Sequence, residues 1–268
     1  MRKAITSLIL LFAFSFHGCE EVVDVDLEES EPRLVVAASI LVPKNNRQAS
    51  QFIRLTTTAP YFSDDIPAAS GAEVSVIDDR GRKYNFEEFE AGYYKSDEFT
   101  PEFNIIYELE IIYNGEVFTA TESLVSTTDI EYVEQKDGAG FSGDNIELRA
   151  YYTDPAGIDN YYLFRFLHEN LAIQIYDDEF TDGNRTFAYF SDDELKVGDI
   201  VRFEIQGISR RFYEYMFILR SQAGTGGGPF QTQPTVVRGN LVNQTNPENF
   251  AFGYFRLSET DTFNYTVE

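Results

Sequence analysis

Val201-Arg202-Phe203-Glu204-Ile205-Gln206 alternates apolar and polar residues without a break. Successive side chains of an extended chain point to opposite faces, so this stretch reads as a β-strand with one face in a core and the other in water. Working outward, the same period recurs as short apolar runs separated by turn residues, the pattern of an all-β protein. Around the opening stretch, strands are expected over residues 130–135, 146–152, 161–169, 171–176, 187–190, 200–208, 236–240, 250–257 and 262–267. Nearer the start they are expected over 34–40, 52–57, 72–77, 82–86, 92–96, 105–113 and 116–123. This earlier set is the number and spacing of an immunoglobulin-like β-sandwich. Its turns carry their own signals in Asp78-Asp79-Arg80-Gly81 and in Asn114-Gly115, a strong hairpin dipeptide.

Residues 124–129 contain Ser126-Thr127-Thr128 and lose the alternation. The division expected is therefore an immunoglobulin-like sandwich over 33–125 and a second β domain, sandwich or barrel-like, over 130–268. One short amphipathic helix is expected in the second domain at 209–223. Ser209 can cap it, and Phe212, Tyr215, Met216 and Leu219 fall at i, i+3, i+4 and i+7, a stripe that would lie on a sheet. Gly224 can close it, with Gly224-Thr-Gly-Gly-Gly-Pro229 as a connector. Arg210 and Arg211 in the first turn oppose the helix dipole.

The first residues read as an address. Arg2 and Lys3 precede an apolar run over 4–16, and small Gly18 stands before Cys19. The run is shorter than the ~20 residues a membrane-spanning helix needs. Cys19 is the only cysteine in the chain, which excludes an internal disulfide. Together these features predict a lipoprotein signal peptide over 1–18 and lipid attachment at Cys19. Phe16 and His17 replace the usual small and aliphatic residues, and a conventional secretory signal is the alternative. An acidic tether over 19–32 follows. Its leading Glu20 and Glu21 are candidates for a surface-export signal, which favours the cell surface over the periplasmic face of an outer membrane.

Composition limits the chemistry. The formal net charge is -24, and loss of residues 1–18 removes Arg2 and Lys3 but no acid, so the mature chain is two charges more negative. Such a surface repels nucleic acid, which is excluded as a partner. His17 leaves with the signal and His168 remains as the sole histidine, so zinc centres of the Cys/His type are excluded and no cofactor is expected. His168 lies in an expected strand with no nucleophile elbow nearby, and the chain offers no recognisable catalytic residue. A carboxylate-dependent hydrolase is the enzymatic alternative, because 45 acids cannot be excluded by counting. Asp177, Asp178 and Asp182 are weak calcium candidates whose spacing departs from the Asp-x-Asp-x-Asp-Gly loop. Asp154 and Asp159 could bind an ion or close a turn on their own backbone.

The chain holds 17 Tyr and 24 Phe and no Trp. Tyr93-Tyr94, Tyr151-Tyr152 and Tyr161-Tyr162 each put one ring on either face of a strand, so every pair offers a core ring and an outward ring for a ligand or partner.

With these stretches in view, the chain resembles the bacterial lipoprotein family known as domain of unknown function 4249. The resemblance rests on Cys19-Glu-Glu with Leu34-Val-Val-Ala, on Tyr152-Thr-Asp-Pro-Ala-Gly157 with Asn160-Tyr-Tyr-Leu-Phe-Arg165, and on Asp177-Asp-Glu-Phe-Thr-Asp-Gly183. It continues through Gly198-Asp-Ile-Val201, Ile208-Ser-Arg-Arg-Phe-Tyr-Glu-Tyr215, Gly228-Pro-Phe230, Gly239-Asn-Leu-Val242 and Phe252-Gly-Tyr-Phe255. It implies an outer-membrane lipoprotein acting as accessory to a TonB-dependent transporter, and it carries over no catalytic residue. The function expected is a non-catalytic, lipid-anchored accessory in nutrient uptake. The alternative from the binding class is a surface lipoprotein that captures a glycan or peptide.

Overall fold

The computed structural model describes residues 31–60, 63, 65–139, 145–223 and 235–268. The signal peptide, Cys19, Glu20 and Glu21, most of the tether and the glycine connector 224–229 lie outside them. Within Pro32–Glu268 the chain is all-β apart from one helix.

The first seven strands are β1 (Leu34–Pro43), β2 (Gln51–Thr57), β3 (Glu73–Asp78), β4 (Lys83–Glu90), β5 (Tyr93–Ser96), β6 (Ile106–Tyr113) and β7 (Glu116–Val125). They pair in the order β1-β2-β5-β4 and β3-β6-β7, the strand arrangement of an immunoglobulin constant-type sandwich. β4 belongs to both sheets: Phe86 and its predecessors pair with β3, whereas Glu87 and Glu88 pair with β5 ahead of a bulge. The interior is built from alternate residues such as Val36, Ala38, Ile40 and Val42 of β1 with Leu109 and Ile111 of β6, all essentially without solvent exposure. Full burial of each larger side chain stabilises by ~1.5–3 kcal/mol.

The second group comprises β8 (Tyr132–Ala139), β9 (Asn145–Thr153), β10 (Tyr161–Leu167), β11 (Leu171–Asp177), β12 (Arg185–Asp192), β13 (Ile200–Gly207), helix α1 (Arg210–Ala223), β14 (Val242–Asn243) and β15 (Phe252–Thr266). A three-stranded sheet β12-β9-β8 faces β11-β10-β13-β15 across a second core of Leu148, Ala150, Phe164, Phe166, Ala188 and Phe203. Phe166 stacks on Phe190 across that core and meets Phe203 edge-on.

Three sequence expectations need correction. First, the strands expected at 250–257 and 262–267 are one 15-residue strand, β15. Its first part lies parallel to β1, with Val35 opposite Phe252 and Pro43 opposite Thr260. Leu257 and Ser258 also pair with β7, so β15 closes the first sandwich into a ring of eight strands. Its last part pairs with β13 in the second sandwich. The polar run Ser258-Glu259-Thr260, outside both expected strands, is buried, and its one charged group, Glu259, has partners. Glu259 takes Arg47 at 2.8 Å and the Thr127 N–H at 3.2 Å, and Asp261 takes the Ile130 N–H at 2.9 Å.

Second, residues 236–240 form no strand. Asn240 instead reaches β15 with its side chain, donating to the Phe255 carbonyl at 2.8 Å and accepting from the Phe255 N–H at 2.9 Å, as a strand neighbour would. Third, β13 has no wet face beyond Arg202. Glu204 and Gln206 are buried, Glu204 paired with Arg165 at 3.1 Å and Gln206 bonded to Arg256 at 2.7 Å.

The helix begins as its sequence requires. Ser209 accepts from the Phe212 N–H through Oγ at 3.3 Å and from the Tyr213 N–H through its carbonyl at 2.9 Å. Phe212 packs edge-on against Tyr254 of β15, and Tyr215 and Met216 join the same cluster. Leu219 does not: it is exposed beside Phe217 and Ile218, so the expected stripe ends one turn early.

Candidate functional site

Each tyrosine pair divides as strand geometry demands. Tyr94, Tyr152 and Tyr162 are buried, and Tyr93, Tyr151 and Tyr161 are half-buried rather than open. Tyr94 is held by the Ala69 carbonyl at 2.9 Å and the Ala72 N–H at 3.0 Å, so it is a structural ring. Tyr93 lies under Arg54 and near Phe89, which in turn meets Phe52; the last two are exposed.

Tyr151 belongs to a larger array on the outer face of the β12-β9-β8 sheet. The register places Tyr132, Tyr151 and Phe187 in one row across the three strands. Tyr132 and Tyr151 stack with centroids 4.7 Å apart and planes 15° apart, and Phe187 sits 5.3 Å beyond. Arg149 lies over Phe187 at 4.6 Å and Arg185 over Tyr132 at 5.9 Å, while the Tyr151 hydroxyl donates to Glu134 at 2.8 Å. Tyr189, in register with Arg149, is half exposed on the same strand. Sequence reading singled out Tyr151 but missed Tyr132, Phe187 and the two arginines. Matching the parity of 185–189 to that of 147–151 would have found them, had the pairing been known.

Tyr161 faces the other side of the second sandwich. Its ring lies 5.1 Å from that of Tyr213 on α1, and together they wall an open pocket of about 410 Å³ with Asp159, Asp177, Glu179 and the Arg210–Glu214 ion pair. Tyr213 donates to Asp177 at 2.6 Å; burial and that bond push its phenol up to about 12. Asp177 is thereby committed to the pocket wall.

Of the calcium candidates, Asp178 and Asp182 come together and Asp177 does not join them. Their third member is Asp154, from the turn after β9. Burial raises the Asp154 carboxyl above its ordinary range, its bonds from the Tyr162 hydroxyl and the Gly183 N–H act in the opposite direction, and the charges of Asp178 and Asp182 raise it further. The two acidic stretches were each visible in the sequence; that two separate turns share one point in space was not.

His168 contacts Asp199 at 3.2 Å at the end of β10, and no serine or threonine hydroxyl bonds to it among the described residues. That contact ties the β10 end to the turn before β13 and assembles no nucleophile.

No curated protein matches the chain. Among solved structures, a two fibronectin type-III domain segment from chicken tenascin is similar over 66% of this chain and 90% of its own at 12% identity, with a TM-score of 0.22. The chicken interferon gamma receptor alpha chain is similar over 66% and 88% at 11% identity, with a TM-score of 0.18. Scores this low carry no argument, and the fold rests on the strand order itself. The family model described as domain of unknown function (DUF4249) matches residues 20–264, nearly the whole length after Cys19, and the chain belongs to that family.

Proposed function

We propose that this chain is a non-catalytic, lipid-anchored accessory of the outer membrane that docks on a TonB-dependent transporter. The observation that carries the docking half is the Tyr132-Tyr151-Phe187 row with Arg149 and Arg185 laid over it. Aromatic rings and arginines are the residue types that concentrate binding energy at protein interfaces, and here both stand on a rigid three-stranded sheet. The anchoring half rests on the pattern that ends at Cys19 and on the acids behind it. Two or more acyl chains hold a protein stably at a membrane, whereas one holds it weakly.

Affinity purification of tagged protein from outer membranes tests this reading. The wild type is expected to retain a β-barrel transporter, and a Tyr151→Ser, Phe187→Ser double variant to lose it with an unchanged circular-dichroism spectrum. Recovery of no β-barrel partner above background would sink the docking reading. A Cys19→Ser variant should appear in the soluble fraction, and its persistence in membranes would sink the anchor.

A second reading, capture of a small ligand, is favoured by the pocket between Tyr161 and Tyr213. Its wall has two rings for stacking and several carboxylates for polar or cationic groups. Calorimetry against glycan and peptide panels, with Tyr213→Ala as control, separates it from docking.

A further inference from the structure

Val36, Ala38 and Ile40 of β1 enter the core of the first sandwich, so Val35 and Ala37 between them face outward. Phe252 stands opposite Val35, and Tyr254, Ala37, Arg54 and Tyr93 form one row across β15, β1, β2 and β5. Beside Phe252, Phe250 meets it edge-on at 5.2 Å. On the far side of the face, Phe89 of β4 lies 5.9 Å from Phe52 and 6.3 Å from Tyr93. Helix α1 covers Tyr254. Beyond it the face is open: Ala37 and Arg54 are exposed, and Phe52 and Phe89 keep 49% and 56% of their surface in solvent.

Charge sets this face apart from the rest of the chain. Arg33 and Arg238 lie 4.0 and 3.6 Å from the centre of the Phe250 ring, and Arg54 lies 5.2 Å from that of Tyr93. Arg33 donates to the main-chain carbonyls of Glu248 and Phe250, at 2.8 and 3.5 Å. Among the described residues none of the three arginines has a carboxylate partner, although the chain holds 45 acids against 21 basic residues. Glu88 of β4 is committed elsewhere, to the Gly71 and Gly92 N–H groups at 2.8 Å each, and Glu87 and Glu90 stand at the β4 rim. Three guanidiniums on one aromatic face are thus left to an anion from outside the chain, and their fork geometry matches a phosphate.

We infer that this face, with Arg33, Arg54 and Arg238 set among Phe52, Phe89 and Phe250, docks on a lipid surface that carries anionic headgroups. Aromatic rings settle at headgroup depth, and arginine stems lie along apolar surface while their heads reach the phosphates. The choice of a bilayer over a protein rests on the anchored reading proposed above, since Arg33 is only fourteen residues after Cys19 in sequence. The same bilayer repels the acidic remainder of the chain. Attraction at one face and repulsion elsewhere fix which side of the protein is turned to the membrane, which a lipid on a single cysteine does not do by itself.

The chain has no tryptophan, so one placed by substitution reports its own surroundings. Phe52→Trp puts the reporter on this face, and Tyr189→Trp puts it on the half-exposed position of β12 as control. Both are made in the full chain carrying Cys19→Ser, so the outcome does not depend on whether Cys19 is lipidated, and residues 4–16 are the same in each. Vesicles of phosphatidylcholine with brominated acyl chains and phosphatidylglycerol should quench Phe52→Trp and spare Tyr189→Trp, and phosphatidylcholine alone should quench neither. Adding Arg33→Gln, Arg54→Gln and Arg238→Gln to Phe52→Trp should weaken partitioning at least about thirtyfold with an unchanged circular-dichroism spectrum, since each cation near an anionic bilayer contributes about fivefold. High salt should release the chain that keeps its arginines, a result that needs no further variant to fold. Equal quenching of the two reporters, quenching of Phe52→Trp that survives high salt or the triple substitution, or none on anionic vesicles overturns the inference.

Discussion

Replacing Arg256 by alanine probes the point where the two sandwiches meet. The residue is 8% exposed, and its guanidinium donates to Ser39 of β1 at 3.1 Å, to Ser258 of β15 at 2.7 Å and to Gln206 of β13 at 2.7 Å, while lying 4.7 Å over Phe212 of α1. Burial lowers its pKa to about 10, so it remains charged at neutral pH, with the charge of Glu204 opposing the shift. Truncation removes three charge-assisted bonds, each worth ~1.5–3 kcal/mol, and leaves Ser258 and Gln206 buried with acceptors unmet. Against this stands the desolvation of the cation, several kcal/mol, which truncation relieves. The net loss expected is ~3–5 kcal/mol, the range seen when one partner of a buried charged set is removed. Urea unfolding at pH 7 with an unchanged slope measures it. Arg256→Met separates the causes: methionine restores packing volume but meets no acceptor, so its loss should stay within about 1 kcal/mol of that of alanine. A loss under about 1 kcal/mol for alanine, or near-complete recovery by methionine, refutes the account of Arg256 as a hydrogen-bonded pin.

Gly253 has φ of 91°, and a Cβ there would stand 1.9 Å from the Val36 carbonyl oxygen, a backbone atom of the paired strand. Gly253→Ala should therefore lose about 3 kcal/mol or more, whereas Gly81→Ala, with similar φ and open space, should lose only the ~1–2 kcal/mol of backbone strain; equal losses would show that the close approach to β1 is not needed. Burial pushes the phenols of Tyr176 and Tyr213 up to about 12, and those of Tyr152, Tyr162 and Tyr254 further. A phenol that keeps its proton longer when folded stabilises fully below its unfolded pKa of about 10, and that stability is lost as pH rises through the folded value. Phenolate absorbance followed beside circular dichroism should show part of the 17 tyrosines ionising only as the fold is lost; ionisation of all of them near pH 10 with secondary structure intact would contradict it.

Most strands were legible because alternation is a local property. Residues 105–113 or 146–152 announce a half-buried strand whatever lies beside them, and Ser209 announces a helix start through its own hydroxyl. What escaped was pairing. Ser258 to Asp261 fell outside the expected strands, and partners for those polar groups come from Arg47, Thr127, Arg256 and Ile130, three of them far away in sequence. Val236 to Asn240 forms no strand; Asn240 alone does at one point, with a side-chain amide, what a strand does along its length. The candidate site divides the same way. The residue types of the acidic turns were readable, but bringing Asp154 onto Asp178 and Asp182 takes the β9-β12 and β10-β11 pairings, which only the folded chain supplies.

The shared strand β15 also changes what a domain boundary at 124–129 means. Nine residues of β1, Val35 to Pro43, pair with β15, the last strand in sequence among the described residues. Without it, β1 presents a long unpaired edge of the kind that recruits foreign strands. The seven-stranded sandwich is therefore a topological unit whose closure depends on the C-terminal residues of the chain. Contacts spanning more than two hundred residues are slow to form, because loop closure must precede the contacts that reward it. The linker bonds to the same strand, Thr127 to Glu259 and Ile130 to Asp261, and also to Lys44 through Asp129 and to Thr153 through Thr128. Completion of the first sandwich and its attachment to the second thus rest on the same strand, β15.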